Sequence, residues 1–166
     1  MSLDATTQPT LIVLIGLPAS GKSTYRDAFV AKSDKEFEII SSDDEIERLC
    51  LDAGTTYSEG FDRFIGKATG IIKQKFREAV NNGKNVIWDQ TNLTGKKRRG
   101  ILNKLPTGYR REAVSFEVTL EELNARLTKR EAETGKHIPD FIVKKMANSY
   151  VPPTKGEGFD KVTIVK

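Results

Sequence analysis

Eight consecutive residues near the amino end have the types and spacing of a phosphate-binding loop. The segment Gly16–Ser23 reads Gly-Leu-Pro-Ala-Ser-Gly-Lys-Ser, which satisfies the pattern G-x-x-x-x-G-K-[ST]. In such a loop the glycines let backbone N–H groups point at phosphate oxygens, the lysine reaches the β- and γ-phosphates, and the hydroxyl binds Mg²⁺. The pattern therefore predicts a nucleoside triphosphate site in which Lys22 contacts phosphate and Ser23 holds the metal ion.

The residues on either side of the loop have the character that the motif requires. An apolar, β-branched run, Thr10–Ile15, predicts a buried strand before it, and Thr24–Lys32 predicts a helix after it. A chance glycine-rich turn would not need both flanks. The guanine-reading motif Asn-Lys-x-Asp is absent, since its nearest match at Asn103 lacks the aspartate, and no transporter-ATPase signature is present. Small α/β phosphotransferases are the class that remains.

Two carboxylates follow predicted strands. Asp43 comes after Glu36–Ile40, where it could accept a proton from a hydroxyl or serve as a first-turn acid of the next helix. Asp89 closes the apolar segment Asn85–Asp89, where it could organise a metal ion or act as a turn residue. Ligands of parallel α/β sheets bind beyond the carboxyl ends of the strands, so both acids are expected beside the phosphate loop.

Two arginines could complete a phosphoryl-transfer site. Arg126 and Arg130 are four residues apart near the end of a predicted helix, so they share a face. A polar segment, Glu131–His137, follows them. This arrangement is typical of a lid that brings cations onto a γ-phosphate, although a solvated helix end would have the same composition.

The alternation of predicted elements indicates an α/β protein. Helices alternate with strands along the chain, which favours a P-loop-type three-layer sandwich with a mostly parallel five-stranded sheet, helices on both faces and a lid. Residues 1–9 are expected to be a disordered lead-in, and residues 10–166 a single domain. The strands are expected over 10–15, 36–40, 85–89, 113–118 and 161–165.

Composition excludes some classes and leaves one charge feature open. The 166 residues carry a formal charge of +4, a single cysteine and no apolar run long enough to cross a bilayer, so a cytoplasmic protein without a membrane partner is expected. No acid lies between Asp89 and Glu112. The basic residues of this stretch could meet nucleic-acid phosphates or form a solvated helix face; they are Lys96, Lys97, Arg98, Arg99, Lys104, Arg110 and Arg111.

Five segments in order along nearly the whole chain resemble the kinase domain of the polynucleotide 5′-kinases of bacteriophages and of animal DNA-repair enzymes. Each segment after the phosphate loop is weak alone, and the set is fairly specific. The segments are Gly16–Ser23, Ile40–Asp44, Trp88–Asn92, Arg130 to Pro139 with its His-Ile-Pro, and Pro153–Phe159, which reads Pro-Thr-Lys-Gly-Glu-Gly-Phe.

The resemblance implies a role for each matching residue. It implies ATP and Mg²⁺ as ligands, Asp43 as general base, and Lys22, Arg126 and Arg130 as the cations on the transferring group. A nucleic acid with a 5′-hydroxyl end would be the substrate, held by Asp43, Asp89, Gln90, Thr91, Asn92, Arg98 and Arg99. The implied nucleotide contacts are Gly16, Pro18, Ala19, Ser20, Gly21, Lys22, Ser23, Thr24, Arg130 and Gly158, with Ser23 and Asp89 at the metal ion.

The chain departs from the family pattern at the acceptor side. Ser42 occupies a position where the family usually has arginine, and Ile46 occupies that of an arginine which contacts the acceptor's phosphate in the phage enzyme. The Asp-x-Asp-Gly-Thr motif of the companion phosphatase is absent, so removal of 3′-phosphates is not expected. Three hypotheses remain: a polynucleotide 5′-hydroxyl kinase, a kinase for a nucleoside, sugar or aminoacyl-tRNA, and a non-catalytic ATP-gated nucleic-acid binding module.

Overall fold

The alternating apolar and amphipathic segments form a five-stranded, all-parallel sheet with helices on both faces. The computed structural model of the protein describes residues 8–166, so residues 1–7 of the predicted disordered lead-in, which was expected over 1–9, lie outside the described part. The strand order is β2-β3-β1-β4-β5. The elements are β1 (Thr10–Ile15), α1 (Lys22–Lys32), β2 (Phe37–Ile40), α2 (Ser42–Ala53), α3 (Tyr57–Asn81), β3 (Asn85–Asp89), α4 (Gly95–Leu102), β4 (Arg110–Phe116), α5 (Leu120–Thr134), α6 (Asp140–Ser149), a 3-10 turn (Lys155–Glu157) and β5 (Lys161–Val165).

Strand β1 is the centre of the sheet and divides the core in two. Its alternating side chains point to opposite faces, as in any strand. Leu11, Val13 and Ile15 pack with α3 and α4, while Ile12 and Leu14 pack with α1. The predicted three-layer α/β class is therefore confirmed, and the carboxyl end of β1, where the phosphate loop begins, lies in the middle of one edge of the sheet.

Helices α2 and α3 pack on each other through a separate apolar cluster. Ile46 and Ala68 are fully buried in it, with Phe64 and Cys50 beside them. Because Ile46 faces this cluster, its side chain does not line the cleft. The same packing brings the start of α3 next to the start of α2, where Asp43 lies.

Several boundaries differ from the sequence-based expectation. Strand β4 begins at Arg110 rather than Ala113, because the charged residues at its start pair with β1 along their backbone while their side chains stay half-buried. The basic segment predicts a helix over 95–105, but α4 ends at Leu102. Helix α5 continues to Thr134, where Gly135 adopts φ 72° and ends it, so the predicted polar loop begins one helical turn later than expected.

Candidate nucleotide-binding and phosphoryl-transfer site

The phosphate loop connects the end of β1 to the start of α1. Gly21 has φ 102°, a value that favours glycine, and Ala19 has φ 65°, which is uncommon for a residue with a side chain. Gly16 is also constrained, because a Cβ there would lie 3.2 Å from Cβ of Phe116. Such a backbone turns successive N–H groups toward one point, at the positive end of the α1 dipole.

Two polar groups in the loop match an anionic ligand. Nζ of Lys22 donates to the carbonyl oxygens of Gly16 and Leu17, each at 2.9 Å. Burial lowers the pKa of Lys22 to about 8, against the raising effect of the carboxylates of Asp89 and Asp43. Oγ of Ser20 is buried and has no hydrogen-bond partner among the described residues. A phosphate group would give the Ser20 hydroxyl a partner and the Lys22 ammonium a third acceptor, so the loop fits the triphosphate that the sequence predicts.

The lowered pKa of Lys22 makes nucleotide affinity depend on pH. A bound phosphate favours the ammonium form, so binding at alkaline pH requires proton uptake. With a pKa of about 8 in the free protein, we expect the Kd of ATP to rise roughly eightfold between about pH 7.5 and about pH 9. Calorimetry in two buffers of different ionisation enthalpy would measure the proton uptake. Lys22→Arg stays charged and should show none; equal uptake in both proteins would contradict this prediction.

The phosphate loop forms one wall of a cleft. Asp43 lies on the opposite wall of this cleft, in the first turn of α2. Ser41 caps this helix by accepting a hydrogen bond from the backbone N–H of Asp44, so the Asp43 carboxylate is not needed as a cap. It accepts instead a hydrogen bond of 2.5 Å from the hydroxyl of Tyr57. Burial and the nearby Asp43 carboxylate raise the pKa of that phenol above its usual range. The carboxylate is thus already arranged to receive a hydroxyl.

Asp89 is buried at the end of β3 and forms an ion pair with Arg26. Nη1 of Arg26 lies 2.8 Å from Oδ2 of Asp89 and 3.1 Å from Oδ2 of Asp44. Burial raises the pKa of Asp89, while Lys22 and Arg26 oppose that effect. Sequence reasoning missed Arg26. Its spacing of four residues from Lys22 on α1 was the signal that could have placed it at the site.

Ser23 and Asp89 line the same cleft, as the predicted Mg²⁺ site requires. Residues 8–166 contain no cluster of three His, Cys, Asp or Glu side chains able to hold a metal ion alone. Oxygen ligands suit Mg²⁺, which commonly binds through one or two protein groups plus substrate phosphates. A bound Mg²⁺ would neutralise phosphate charge, and we expect Ser23 and Asp89 to hold it.

The segment after β3 divides into cleft and buried residues. Gln90 and Thr91 line the cleft, and Oε1 of Gln90 accepts a hydrogen bond of 2.8 Å from the Ser42 hydroxyl. Asn92 was expected to contact the acceptor, but it is 3% exposed. Its amide donates to the Leu14 carbonyl at 2.7 Å and its oxygen accepts from the Trp88 indole at 3.1 Å. The expectation for Asn92 is therefore wrong: its side chain is fully used inside the fold.

The predicted lid arginines project from α5 toward the phosphate loop. Nη1 of Arg126 lies 3.4 Å from the Ala19 carbonyl oxygen, and Nη2 pairs with Glu122 at 2.6 Å. Arg130 also lines the cleft and is near enough to affect the pKa of Lys22. Both guanidinium groups therefore lie on the nucleotide side, where cations would contact a γ-phosphate.

The loop between α5 and α6 contacts the start of α3. The Ser58 hydroxyl donates to the Gly135 carbonyl at 2.6 Å. Nζ of Lys136 lies 4.5 Å from the centroid of the Tyr57 ring and pairs with Glu47. Since Tyr57 also contacts Asp43, these contacts join the lid to the wall of the cleft that carries Asp43.

Two further expectations for binding residues are not met. Arg98 is fully buried and pairs with Glu157 at 2.7 and 3.0 Å, so it cannot reach an oligonucleotide backbone. Gly158 was expected near the nucleotide, but it precedes β5 at the amino edge of the sheet and does not line the cleft. A Cβ added to Gly158 would lie 3.4 Å from Cδ1 of Leu102. Arg99 is exposed on α4 outside the cleft, and its expected contact with an acceptor stays a prediction.

The cleft is large enough for two ligands. Its volume is about 1550 Å³, above the roughly 300–1,000 Å³ of a site for one drug-sized molecule. The phosphate loop and the α5 arginines form one side. The other side is formed by the starts of α2 and α3 and is rich in acids and aromatic groups: Asp43, Asp44, Glu47, Tyr57, Phe61 and Asp62.

The lid contacts predict protection that depends on the γ-phosphate. A lid becomes ordered when the ligand supplies compensating contacts, and here Arg126 and Arg130 would supply them. We expect hydrogen exchange over residues 131–137 to slow with a non-hydrolysable ATP analogue and much less with ADP. Exchange in the last turns of α3 is the internal control. Equal protection by both nucleotides would show that the lid does not sense the γ-phosphate.

This sheet, phosphate loop and lid define a P-loop kinase domain. A family model described as an AAA domain matches residues 11–153. The chain belongs to that family. Within residues 8–166, no helix combines the length and apolar character needed to cross a membrane.

Individual relatives give more detail. The chain is 31% identical over 149 residues to L-seryl-tRNA(Sec) kinase of Methanococcus maripaludis. The aligned region covers 86% of this chain and 53% of the relative. It is 27% identical to a chain of the Pnkp1/Rnl/Hen1 RNA repair complex, with TM-score 0.67, over 85% of this chain and 43% of that one. The chain thus spans about half the length of these proteins.

A third comparison concerns the fold alone. A putative kinase from Chloroflexus aurantiacus has TM-score 0.69 at 17% identity, over 95% of this chain and 85% of that one. The two-sided α/β layering is therefore similar in proteins of quite different sequence.

Proposed function

We propose that this domain transfers the γ-phosphoryl group of ATP to the 5′-hydroxyl end of a polynucleotide. The observation that carries the proposal is the position of Asp43. Its carboxylate faces the phosphate loop across the cleft and accepts a hydrogen bond from a hydroxyl group at 2.5 Å. A hydroxyl acceptor that displaces Tyr57 would be bound in the same way.

The residues of the cleft match the parts that phosphoryl transfer needs. The acceptor oxygen forms a bond to the γ-phosphorus, the bond from that phosphorus to the β-γ bridging oxygen breaks, and ADP leaves. Asp43 takes the proton of the hydroxyl. Lys22, Arg126 and Arg130 stabilise the charge on the transferring group, and Gln90 and Thr91 help to orient the acceptor. The RNA repair relative supports a nucleic-acid end as acceptor.

A second acceptor is favoured by the charge of the cleft wall opposite the phosphate loop. Asp44 and Glu47 on that wall pair with Arg26 and Lys136, whereas Asp43 and Asp62 also line it and have no ion pair among the described residues. The buried Ile46 leaves this wall without the arginine that phage enzymes use. Carboxylates repel a phosphate but attract an ammonium group. A seryl ester on tRNA carries an ammonium beside its hydroxyl, and a seryl-tRNA kinase is among the relatives.

Transfer from labelled ATP would distinguish the candidates. The acceptors to compare are 5′-hydroxyl DNA and RNA oligonucleotides, seryl-tRNA, single nucleosides, and none. Labelled oligonucleotide ends would support the first proposal. Labelled seryl-tRNA alone would replace it with the second. ATP binding without transfer to any of these acceptors would favour a non-catalytic ATP-gated module.

The exposed lysines of α4 give a separate test of the polynucleotide proposal. Lys96 and Lys97 are exposed at the start of α4, outside the cleft. If they contact acceptor phosphates, Lys96→Gln/Lys97→Gln should raise KM for an oligonucleotide and flatten its log–log salt slope by about 0.7 per lost contact on a single strand. KM for ATP should stay the same. Lys67→Gln/Lys73→Gln, on exposed positions of α3, is the matched control. An unchanged slope would mean that this face is only solvated.

A further inference from the structure

We propose that Arg98 and Glu157 are positioning residues for the phosphate loop. Their ion pair fixes the segment after β3, and that segment in turn anchors the residues from which the loop starts. This inference rests on the proposed function only in assuming that the loop binds nucleotide. It is independent of which acceptor is used.

The anchor on the loop consists of two hydrogen bonds beyond the end of β3. The Thr91 carbonyl accepts from the backbone N–H of Gly16 at 3.0 Å. The Asn92 amide donates to the Leu14 carbonyl at 2.7 Å. These bonds extend the β1–β3 pairing beyond its last residue pair, Leu14 and Asp89. They hold the end of β1 where the phosphate loop begins.

The anchor includes an uncommon backbone conformation. Asn92 has φ 49°, in the left-handed region, which asparagine enters more readily than other residues that have a side chain. Contacts to the side chain and to the carbonyl of Asn92 hold this conformation in place. The Asn92 side chain supplies two of those contacts, to Leu14 and Trp88.

Arg98 supplies the third contact and is itself held by Glu157. Nη1 of Arg98 donates to the Asn92 carbonyl at 2.9 Å, while Nε and Nη2 bind the two carboxylate oxygens of Glu157. The Arg98 side chain is 0% and the Glu157 side chain 10% exposed. A second tie, from the N–H of Val151 to the Leu93 carbonyl at 2.9 Å, binds the same carboxyl-terminal segment to the loop after β3.

A positioning role accounts for the burial of this pair. The free energy lost when two charges leave water offsets much of the free energy gained from their attraction. A buried ion pair is therefore weak evidence of a stabilising role. Its geometry serves orientation instead, because a bidentate guanidinium can bind a carboxylate and still present a third N–H to one fixed carbonyl. We infer that the Glu-Gly-Phe segment acts on the nucleotide site through this relay and not by contact.

Glu157→Gln is the first test. Glutamine cannot accept both N–H groups of Arg98, so the relay loosens while side-chain volume is kept. We expect the Kd of a non-hydrolysable ATP analogue, measured without acceptor, to rise at least about fivefold, the lower end of typical coupling between sites. Turnover at saturating ATP should change less than KM for ATP. Because acceptor is absent from the binding assay, a wrong acceptor assignment cannot affect its outcome.

A second variant separates positioning from stability. Arg98→Met/Glu157→Leu replaces the pair with apolar groups, which often restores stability, yet leaves the Asn92 carbonyl without its donor. We expect a melting temperature near that of the wild type with nucleotide affinity still reduced. Val80→Ala, in the core at the far end of α3, is the control that loses stability without loss of affinity. Wild-type affinity in the double variant would overturn the proposal.

A third variant keeps every charge and serves if the others fail to fold. Gly95 lies at the start of α4, where an added Cβ would be 2.9 Å from Nη1 of the exposed Arg99 side chain, which can move, and 3.1 Å from Oε1 of Glu157, which Arg98 holds in place. Gly95→Ala should therefore displace the carboxylate and weaken analogue binding. Gly100→Ala, on the same helix, meets no atom within 4 Å and should leave binding unchanged. Equal affinity in these two variants would also contradict the proposal.

Discussion

Lys22→Ala is expected to reduce phosphoryl transfer by roughly 10³-fold or more while leaving the fold intact. The ammonium lies among backbone carbonyls of the loop and next to Asp89 and Asp43, where it would contact the phosphates. Removing it deletes charge stabilisation of the transition state. Turnover with a saturating acceptor measures the loss, and circular dichroism checks the fold.

The stability of the same variant gives a second, independent readout. Burial lowers the pKa of Lys22 to about 8, so at neutral pH its charge is held in the folded state at a cost. Alanine removes that cost, and the melting temperature of the nucleotide-free protein should not fall. Lys32→Ala, on an exposed position at the end of α1, is the matched control for loss of a lysine. Normal turnover in Lys22→Ala would refute the phosphate-loop assignment.

The phosphate loop could be predicted from sequence because its determinants are local. The apolar run of β1, the two glycines and the helix that follows lie within 23 residues, Thr10–Lys32, and each favours the same geometry. Parallel pairing then brings the ends of β2 and β3 to the same edge. The positions of Asp43 and Asp89 follow from that edge alone.

The role of Arg98 could not be predicted, because it depends on a partner far along the chain. A run of basic residues indicates a charged helix but not which side chain turns inward. Arg98 is buried because Glu157, 59 positions later, lies beside α4 with its carboxylate oriented to receive it. The resemblance placed both segments near the substrates, whereas their contacts place them behind the loop that binds the nucleotide.

The Tyr57–Asp43 contact was missed for a similar reason. The polar residues at 54–60 predict a loop, but α3 begins at Tyr57, and Thr56 caps it by accepting from the N–H of Glu59. The packing of α2 on α3 then carries the phenol to the carboxylate. The contact between Tyr57 and Asp43 depends on how α2 and α3 pack against each other, and no local sequence pattern predicts that packing.

Asp43→Asn is expected to lower kcat by roughly 10²–10⁴, the usual value of general acid–base catalysis. The amide keeps the shape of the carboxylate and can still accept the Tyr57 hydrogen bond, but it cannot take a proton from the acceptor. At a pH low enough to keep Lys22 protonated, ATP affinity should stay nearly constant, because the loop and the α5 arginines are untouched. Steady-state rates with analogue binding would separate the two effects.

Two companion variants decide whether the effect belongs to Asp43 as a base. Asp44→Asn alters the adjacent carboxylate, which pairs with Arg26 at 3.1 Å, and should change kcat far less; the reverse ranking would move the base to Asp44. Tyr57→Phe removes the hydroxyl that occupies the Asp43 carboxylate. An acceptor hydroxyl then meets no competitor, so KM for the acceptor should fall while kcat stays within about threefold. A loss of kcat in Tyr57→Phe as large as in Asp43→Asn would instead mean that the phenol takes part in the transfer, because removal of a mere competitor cannot slow the step that follows its displacement.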